Sequence, residues 1–375
     1  MPNISALDFT VHTKNLLHTK WVEKSYPDKL LPNQILLKIE QFAFTANNIT
    51  YGVVGEQMDY WKFFPTITDY GILPTWGIAE VIVSHHSDIQ VGQRFYGYCP
   101  TSSHLLMAAD KVSDKGFFDA TEHRRALPST YNYYIDVERD VAFTPEVEQL
   151  IPLFRPLFVT SFLIDDHLAK EQFYGATQLL ITSASSKTAQ VLAFLLAHRK
   201  QQGMSDLKLI GLTSERNVHF VRQLGSYDQV LSYQDVAQID ADTTSIIVDF
   251  SGNHHTQFQL QHLLKEHLAY NCLVGLVDWQ HLSGEQPLPQ EGVFFFAPLY
   301  AKKRQQEWGL TSFQQRISES FQNFITAILP HIMIEEHIGK DQFEKLYLDV
   351  LNGKVDPKCG YIVRLDGANR RVRKS

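Results

Sequence analysis

Leu179-Leu180-Ile181-Thr182-Ser183-Ala184-Ser185-Ser186-Lys187-Thr188-Ala189 is the stretch from which the rest of the chain is best read. A short apolar run of buried-strand type stops at small polar residues. From Thr188 to His198, Val191, Leu192, Leu195 and Leu196 then recur at helical spacing, so the segment reads as strand, turn, helix. The unit repeats downstream. Leu207 to Leu212 reads as a strand, Asn217 to Leu224 as a helix with Gly225 at the C-capping place, and Ser245 to Phe250 as a strand. Phe258 to Leu268 follows as a helix, Leu273 to Val277 as a strand, and Val293 to Phe296 as one more. Alternating β and α segments of this length imply an α/β domain with a doubly wound parallel sheet.

The flanking sequence has a different character. Gln34 to Phe44 clusters Ile35, Leu36, Leu37, Ile39, Phe42 and Phe44, and Gly77 to Val83 runs Ile78, Ala79, Val81, Ile82, Val83; both read as strands in a β-rich first part. The boundary falls near residue 150. After the α/β segment, a longer helix over Leu310 to Leu329, a helix around Phe343 to Leu351 and a strand at Tyr361 to Leu365 close the chain.

Composition narrows the function classes. In 375 residues, 44% hydrophobic and 20% charged, there is material for a large core. The 41 acidic and 34 basic side chains give a net charge of −7 with no basic stripe, which speaks against nucleic-acid binding. Three scattered cysteines, Cys99, Cys272 and Cys359, support neither a disulfide framework nor a cysteine zinc site and suit a reducing, cytoplasmic setting. Met1 to His18 lacks the apolar run of a signal peptide, and no uncharged apolar window of about 18 residues offers a membrane span. The basic end, Arg370, Arg371, Arg373 and Lys374, is given no function.

Ligands of open α/β sheets bind beyond the carboxyl ends of the strands, which is where residues 182–189 lie. The following helix start offers amide donors and a positive dipole end to an anion, and Ser183, Ser185, Ser186, Lys187 and Thr188 add side-chain contacts. Phosphate cradle and purely structural serine-rich turn are both open readings. The Gly-x-Gly-x-x-Gly fingerprint maps onto Ala184, Ser186 and Ala189, so small residues stand where all three glycines belong. A Walker loop would need glycine where Ile181 and Ser186 stand, and a nucleophile elbow would need glycines that this turn lacks. At the second strand, Gly211-Leu212-Thr213-Ser214 carries no acid for a ribose 2′-hydroxyl, while Ser214, Arg216 and Asn217 suit a 2′-phosphate. Thr213 or Ser214 can equally cap the next helix.

Several of these segments together resemble the medium-chain dehydrogenase/reductase superfamily, above all its zinc-independent quinone oxidoreductase branch. Asn47-Asn48-Ile49-Thr50-Tyr51-Gly52 is similar to the branch's Asn-Pro-x-Asp stretch, and Gly77 to Gly97 to its Gly-x-Val-x-x-Val…Val-Gly-Asp-Arg-Val segment. Leu224 to Tyr233 resembles its Leu-Gly-Ala-Asp…Ile-Asn-Tyr run, Val248-Asp249-Phe250-Ser251-Gly252 its Val-Asp-x-x-Gly, and Leu351 to Lys354 its C-terminal end. More narrowly, Asn47 to Tyr51, Tyr60-Trp61, Ser183 to Ala189 and Gly211 to Ser214 look like a functionally uncharacterised family of that superfamily.

The resemblance implies a GroES-like β domain over 1–150, completed by 330–375, and a Rossmann domain over 151–329 with the active site in a cleft between them. It implies NADP(H) as cofactor, with Tyr233 and Arg216 at the adenosine phosphate, Thr160 and the strand end Gly275 to Val277 at the nicotinamide, and Ser251 in the Val-Asp-x-x-Gly segment. Asn47 and Tyr51 would face a small-molecule substrate. Rossmann domains would pair as a homodimer through the strand near Phe294 to Phe296. The cysteine, histidine and glutamate sets that hold zinc in the alcohol dehydrogenases are missing, and His85-His86 and His254-His255 are adjacent rather than four apart, so no metal is expected.

The expected chemistry is hydride transfer to a carbonyl or activated double bond, with Tyr51 donating to the developing oxyanion and Asn47 orienting it. Tyr60, Trp61, Phe63 and Phe64 either line a flat apolar pocket or form core. Two other classes stay open: a non-catalytic protein that keeps the reductase fold for binding or dimerisation, and an enzyme for another nucleotide-like ligand such as a coenzyme A thioester.

Overall fold

The computed structural model describes residues 3–27, 29–275 and 291–366. The chain forms two compact units, one from Met1–Leu153 with Met333–Ser375 and one from Phe154–Ile332.

In the second unit, short runs of β-branched and aliphatic residues form a six-stranded parallel sheet. Its spatial order is Gln229–Ser232, Lys208–Thr213, Gln178–Ile181, Ser245–Asp249, Leu268–Leu273, Val293–Phe294. Numbered along the chain this is 3-2-1-4-5-6, the order that reverses direction between its first and fourth strands and opens a crevice there. The central strands Gln178–Ile181 and Ser245–Asp249 are buried on both faces. Leu180, Ile210, Leu212, Leu231 and Ile247 pack with Leu260 and Leu264 of the helix His254–Leu264, while Ala184 and Val230 pack with Val218, Phe220 and Val221. Crossover helices Lys187–Gln201, Val218–Gln223 and His254–Leu264 follow the first, second and fourth strands. Gly225, at φ 69°, supplies the left-handed residue just past the second of these helices.

Three readings of this unit are corrected. The third strand, Gln229–Ser232, was not expected; it has four residues and polar ends. The helix expected at 258–268 spans His254–Leu264, because the Asn253 side chain accepts the Thr256 N–H at 2.9 Å and starts it early. The fifth strand is Leu268–Leu273 rather than 273–277, and Val277 and the basic residues Arg370 to Lys374 lie outside the described residues.

In the first unit an eight-stranded sheet runs Met333–Ile338, Cys359–Arg364, Gln34–Phe44, Pro74–Ser84, Arg94–Pro100, Tyr133–Asp136, Gly116–Asp119, His104–Ser113. The last strand pairs back onto Gln34–Phe44, which curls the sheet into a barrel-like form. The strand Cys359–Arg364, from the far end of the sequence, pairs antiparallel with Gln34–Phe44. A separate hairpin, Ile4–His12 with Asn15–Tyr26, was not read from sequence. The short helix Ala46–Val53, capped by Thr45 and Asn48 in a reciprocal capping box, carries Asn47 and Tyr51.

Candidate functional site

The turn after the first parallel strand is built on a bond network rather than on glycine. Ser183 takes the left-handed backbone, φ 49°, which a β-carbon disfavours, and its N–H donates to the Tyr233 hydroxyl at 2.8 Å. Burial pushes the Tyr233 phenol up to about 12, so it is neutral and holds its own proton. Ser186 is the N-cap of the helix Lys187–Gln201, its hydroxyl accepting the Ala189 N–H at 3.4 Å. The Ser185 hydroxyl accepts from Thr213 at 3.2 Å and from the Asn217 amide at 3.1 Å, which leaves its own proton to donate. Thr213 and Asn217 therefore orient Ser185; the Ser214 side chain makes no capping bond. Lys187 and Thr188 occupy the first helical turn and are half-buried.

The neighbouring strand end is tied to this turn through Asp249. One carboxylate oxygen accepts from the Thr182 hydroxyl, from the Ser251 hydroxyl at 2.7 Å and from the Ser251 N–H at 2.9 Å. Its other oxygen is buried without a hydrogen-bond partner among the described residues. Gly275 donates its N–H to the Asp249 carbonyl at 2.9 Å, and a β-carbon there would stand 2.3 Å from the Phe250 carbonyl oxygen; only glycine fits.

Thr160 and Arg216 were also expected at the site. The Thr160 hydroxyl turns back on the Pro156 carbonyl of its own helix at 3.4 Å, as threonines in helices do. Its neighbour Ser161, not singled out in the sequence, is fully buried and donates to the Thr188 carbonyl at 2.8 Å, bracing the helix that follows the turn. Arg216 is exposed on the one-turn helix Glu215–Asn217, beside an equally exposed Glu215.

In the first unit Tyr51 is buried, its ring 4.5 Å from Tyr60 and 5.9 Å from Tyr98. Burial raises its pKa, and the Asn47 and Trp76 side chains beside its hydroxyl oppose that rise. Tyr60, Phe63 and Phe64 are core; Trp61 is half-buried. Among the described residues no group of three or more histidine, cysteine or carboxylate side chains is placed to hold a metal ion.

The second unit thus offers an anion a helix terminus, one oriented serine hydroxyl, a lysine and a threonine in a crevice at the strand ends. That donor set fits the phosphates of a dinucleotide.

Residues 42–356 match the family model described as "Protein of unknown function (DUF2855)". No curated protein sequence matches the chain. Among solved structures, CurA of Vibrio vulnificus in complex with NADPH is similar over 96% of this chain and 100% of its own, at 12% identity and a TM-score of 0.61. The yhdH oxidoreductase of Salmonella enterica in complex with NADP is similar over 96% and 100%, at 11% identity and a TM-score of 0.54. A CurK enoyl reductase is similar over 96% and 99%, at 14% identity and a TM-score of 0.55. The architecture is that of a GroES-like domain with a Rossmann domain.

Proposed function

The chain belongs to the DUF2855 family, and from that premise we propose that it is an NADP(H)-dependent oxidoreductase reducing a carbonyl or an activated double bond of a small molecule. The observation that carries this reading is the Ser185 hydroxyl, held by Thr213 and Asn217 with its proton free, at the first turn of a 3-2-1-4-5-6 sheet. The Vibrio vulnificus and Salmonella enterica structures are complexes with NADPH and NADP, which agrees with it.

In this reading Ser183 and Ser186 shape the turn, Ser185, Lys187 and Thr188 hold the pyrophosphate, and Ser214, Arg216 and Asn217 with Tyr233 recognise the 2′-phosphate end. Thr160, Ser251, Gly275 and Val277 belong to the nicotinamide end. When bound, the reduced nicotinamide supplies the hydride. Tyr51, kept protonated by burial, donates to the oxygen on which charge develops, with Asn47 orienting it. A homodimer through Val293–Phe294, whose side chains are exposed on an edge strand, completes the proposal and is checked by the mass in solution.

The test is titration of the full chain with NADPH and with NADH, followed by nicotinamide fluorescence and thermal stability. NADPH binding is expected to raise the melting temperature. Arg216→Ala is expected to weaken NADPH about tenfold, the value of one charge-assisted pair, and NADH little. If neither nucleotide binds at millimolar concentration, the reductase reading fails and the glycine-poor turn marks a non-catalytic member of the fold.

A further inference from the structure

A cavity of about 500 Å³ opens in the first unit against the strand His104–Ser113. Along that strand Leu105, Met107 and Ala109 are buried in the core, while the alternate residues Leu106 and Ala108 are half-buried and line the cavity. Phe64 and Ile72 extend the apolar wall. Its size and mostly apolar lining are those of a small-molecule site. Neither Asn47 nor Tyr51 lines it, so it is not the place assigned above to hydride transfer.

One polar group in the wall is left with hydrogen-bonding capacity to spare. His104 lines the cavity and is 9% exposed. Its Nδ1 lies 2.8 Å from the Ser103 hydroxyl, which already accepts the Leu7 N–H at 2.9 Å. The Ser103 proton therefore goes to Nδ1, the one acceptor beside it. Burial, with the Lys38 and Lys24 ammonium groups, holds the His104 pKa below the ordinary histidine value against the opposing Asp366 and Asp8, so the ring is neutral. A neutral imidazole that accepts at Nδ1 carries its proton on Nε2. That N–H makes no hydrogen bond among the described residues.

The charges around the cavity cancel. Lys24 pairs with the buried Asp8 at 2.7 Å, Arg124 with Asp119 at 2.8 Å, and Arg125 with Glu122 at 3.4 Å. The second Asp8 carboxylate oxygen is buried without a hydrogen-bond partner among the described residues, which adds negative potential behind Lys24. An anionic ligand would find no unpaired cation, and a cationic one would meet a donor rather than an acceptor at His104.

We propose that this cavity is a second small-molecule site, wholly within the first unit, for a neutral and largely apolar ligand whose carbonyl oxygen accepts the Nε2–H of His104.

The test uses the neutral fluorescent ketone prodan and the full chain without nucleotide. Saturable binding with blue-shifted emission is expected. His104→Leu, which removes the donor, is expected to weaken it about tenfold, and His104→Gln, which restores an N–H, to recover most of that loss. Ala108→Trp fills the cavity and is expected to abolish binding. Methyl naphthyl ketone is expected to displace the dye at least about tenfold better than naphthoate, its anionic counterpart. Melting temperatures separate lost recognition from lost folding, and the two His104 variants decide the point if Ala108→Trp does not fold. No saturable binding by the wild type, wild-type affinity in His104→Leu, undiminished binding by a folded Ala108→Trp, or naphthoate competing as well as the ketone each overturns the proposal.

Discussion

The Tyr233 hydroxyl accepts the backbone N–H of Ser183 at 2.8 Å, fastening the end of the third parallel strand to the strained turn after the first. In glycine-rich turns the conformation is free and the amide is left for phosphate. Here a phenol stabilises the conformation and occupies one amide.

Tyr233→Phe removes the acceptor of a half-buried amide. It is expected to lower stability by about 1–2 kcal/mol, read as a shift of the urea midpoint at unchanged m-value, and to weaken NADPH binding. An unchanged midpoint would mean that Ser183 holds its backbone unaided.

Gly275→Ala places a methyl group 2.3 Å from the Phe250 carbonyl oxygen, against backbone that cannot swing away. The ends of the fourth and fifth strands must part. A loss of about 1–3 kcal/mol in unfolding free energy is expected, together with weaker nucleotide binding.

Acid is expected to destabilise the protein from about pH 6.5 downward, the ordinary histidine value. Burial lowers the pKa of His104, His167 and His337 in the folded chain. The unfolded chain therefore takes up protons at a pH where the folded one resists them, so their contribution is complete above 6.5 and declines as pH falls through the lowered values. Urea midpoints from pH 8 to pH 5 check this, and His104→Gln should flatten the curve.

The α/β unit was readable where a strand is a short aliphatic run closed by small polar residues, and Gln178–Ile181 and Ser245–Asp249 fall close to where periodicity puts them. Leu268–Leu273 was displaced because it carries the buried polar Asn271, which makes Leu273 to Val277 look the better strand. Within the site, Ser183, Ser185 and Ser186 were legible as a turn, but the partners that orient them were not. Asp249 and Tyr233 reach the turn only through the order of strands in the sheet. Ser161 does so from a helix whose own pattern shows nothing of its target.

The pairing of Cys359–Arg364 with Gln34–Phe44 has a consequence for biosynthesis. The first unit is the earlier to leave the ribosome, yet its sheet waits for a strand more than three hundred residues downstream. The second unit is continuous in sequence and can complete its sheet while the first still exposes an open strand edge. Slow, non-local closure of the N-terminal barrel would set the pace of maturation, and during that wait the edge of Gln34–Phe44 is the stretch most in need of a chaperone.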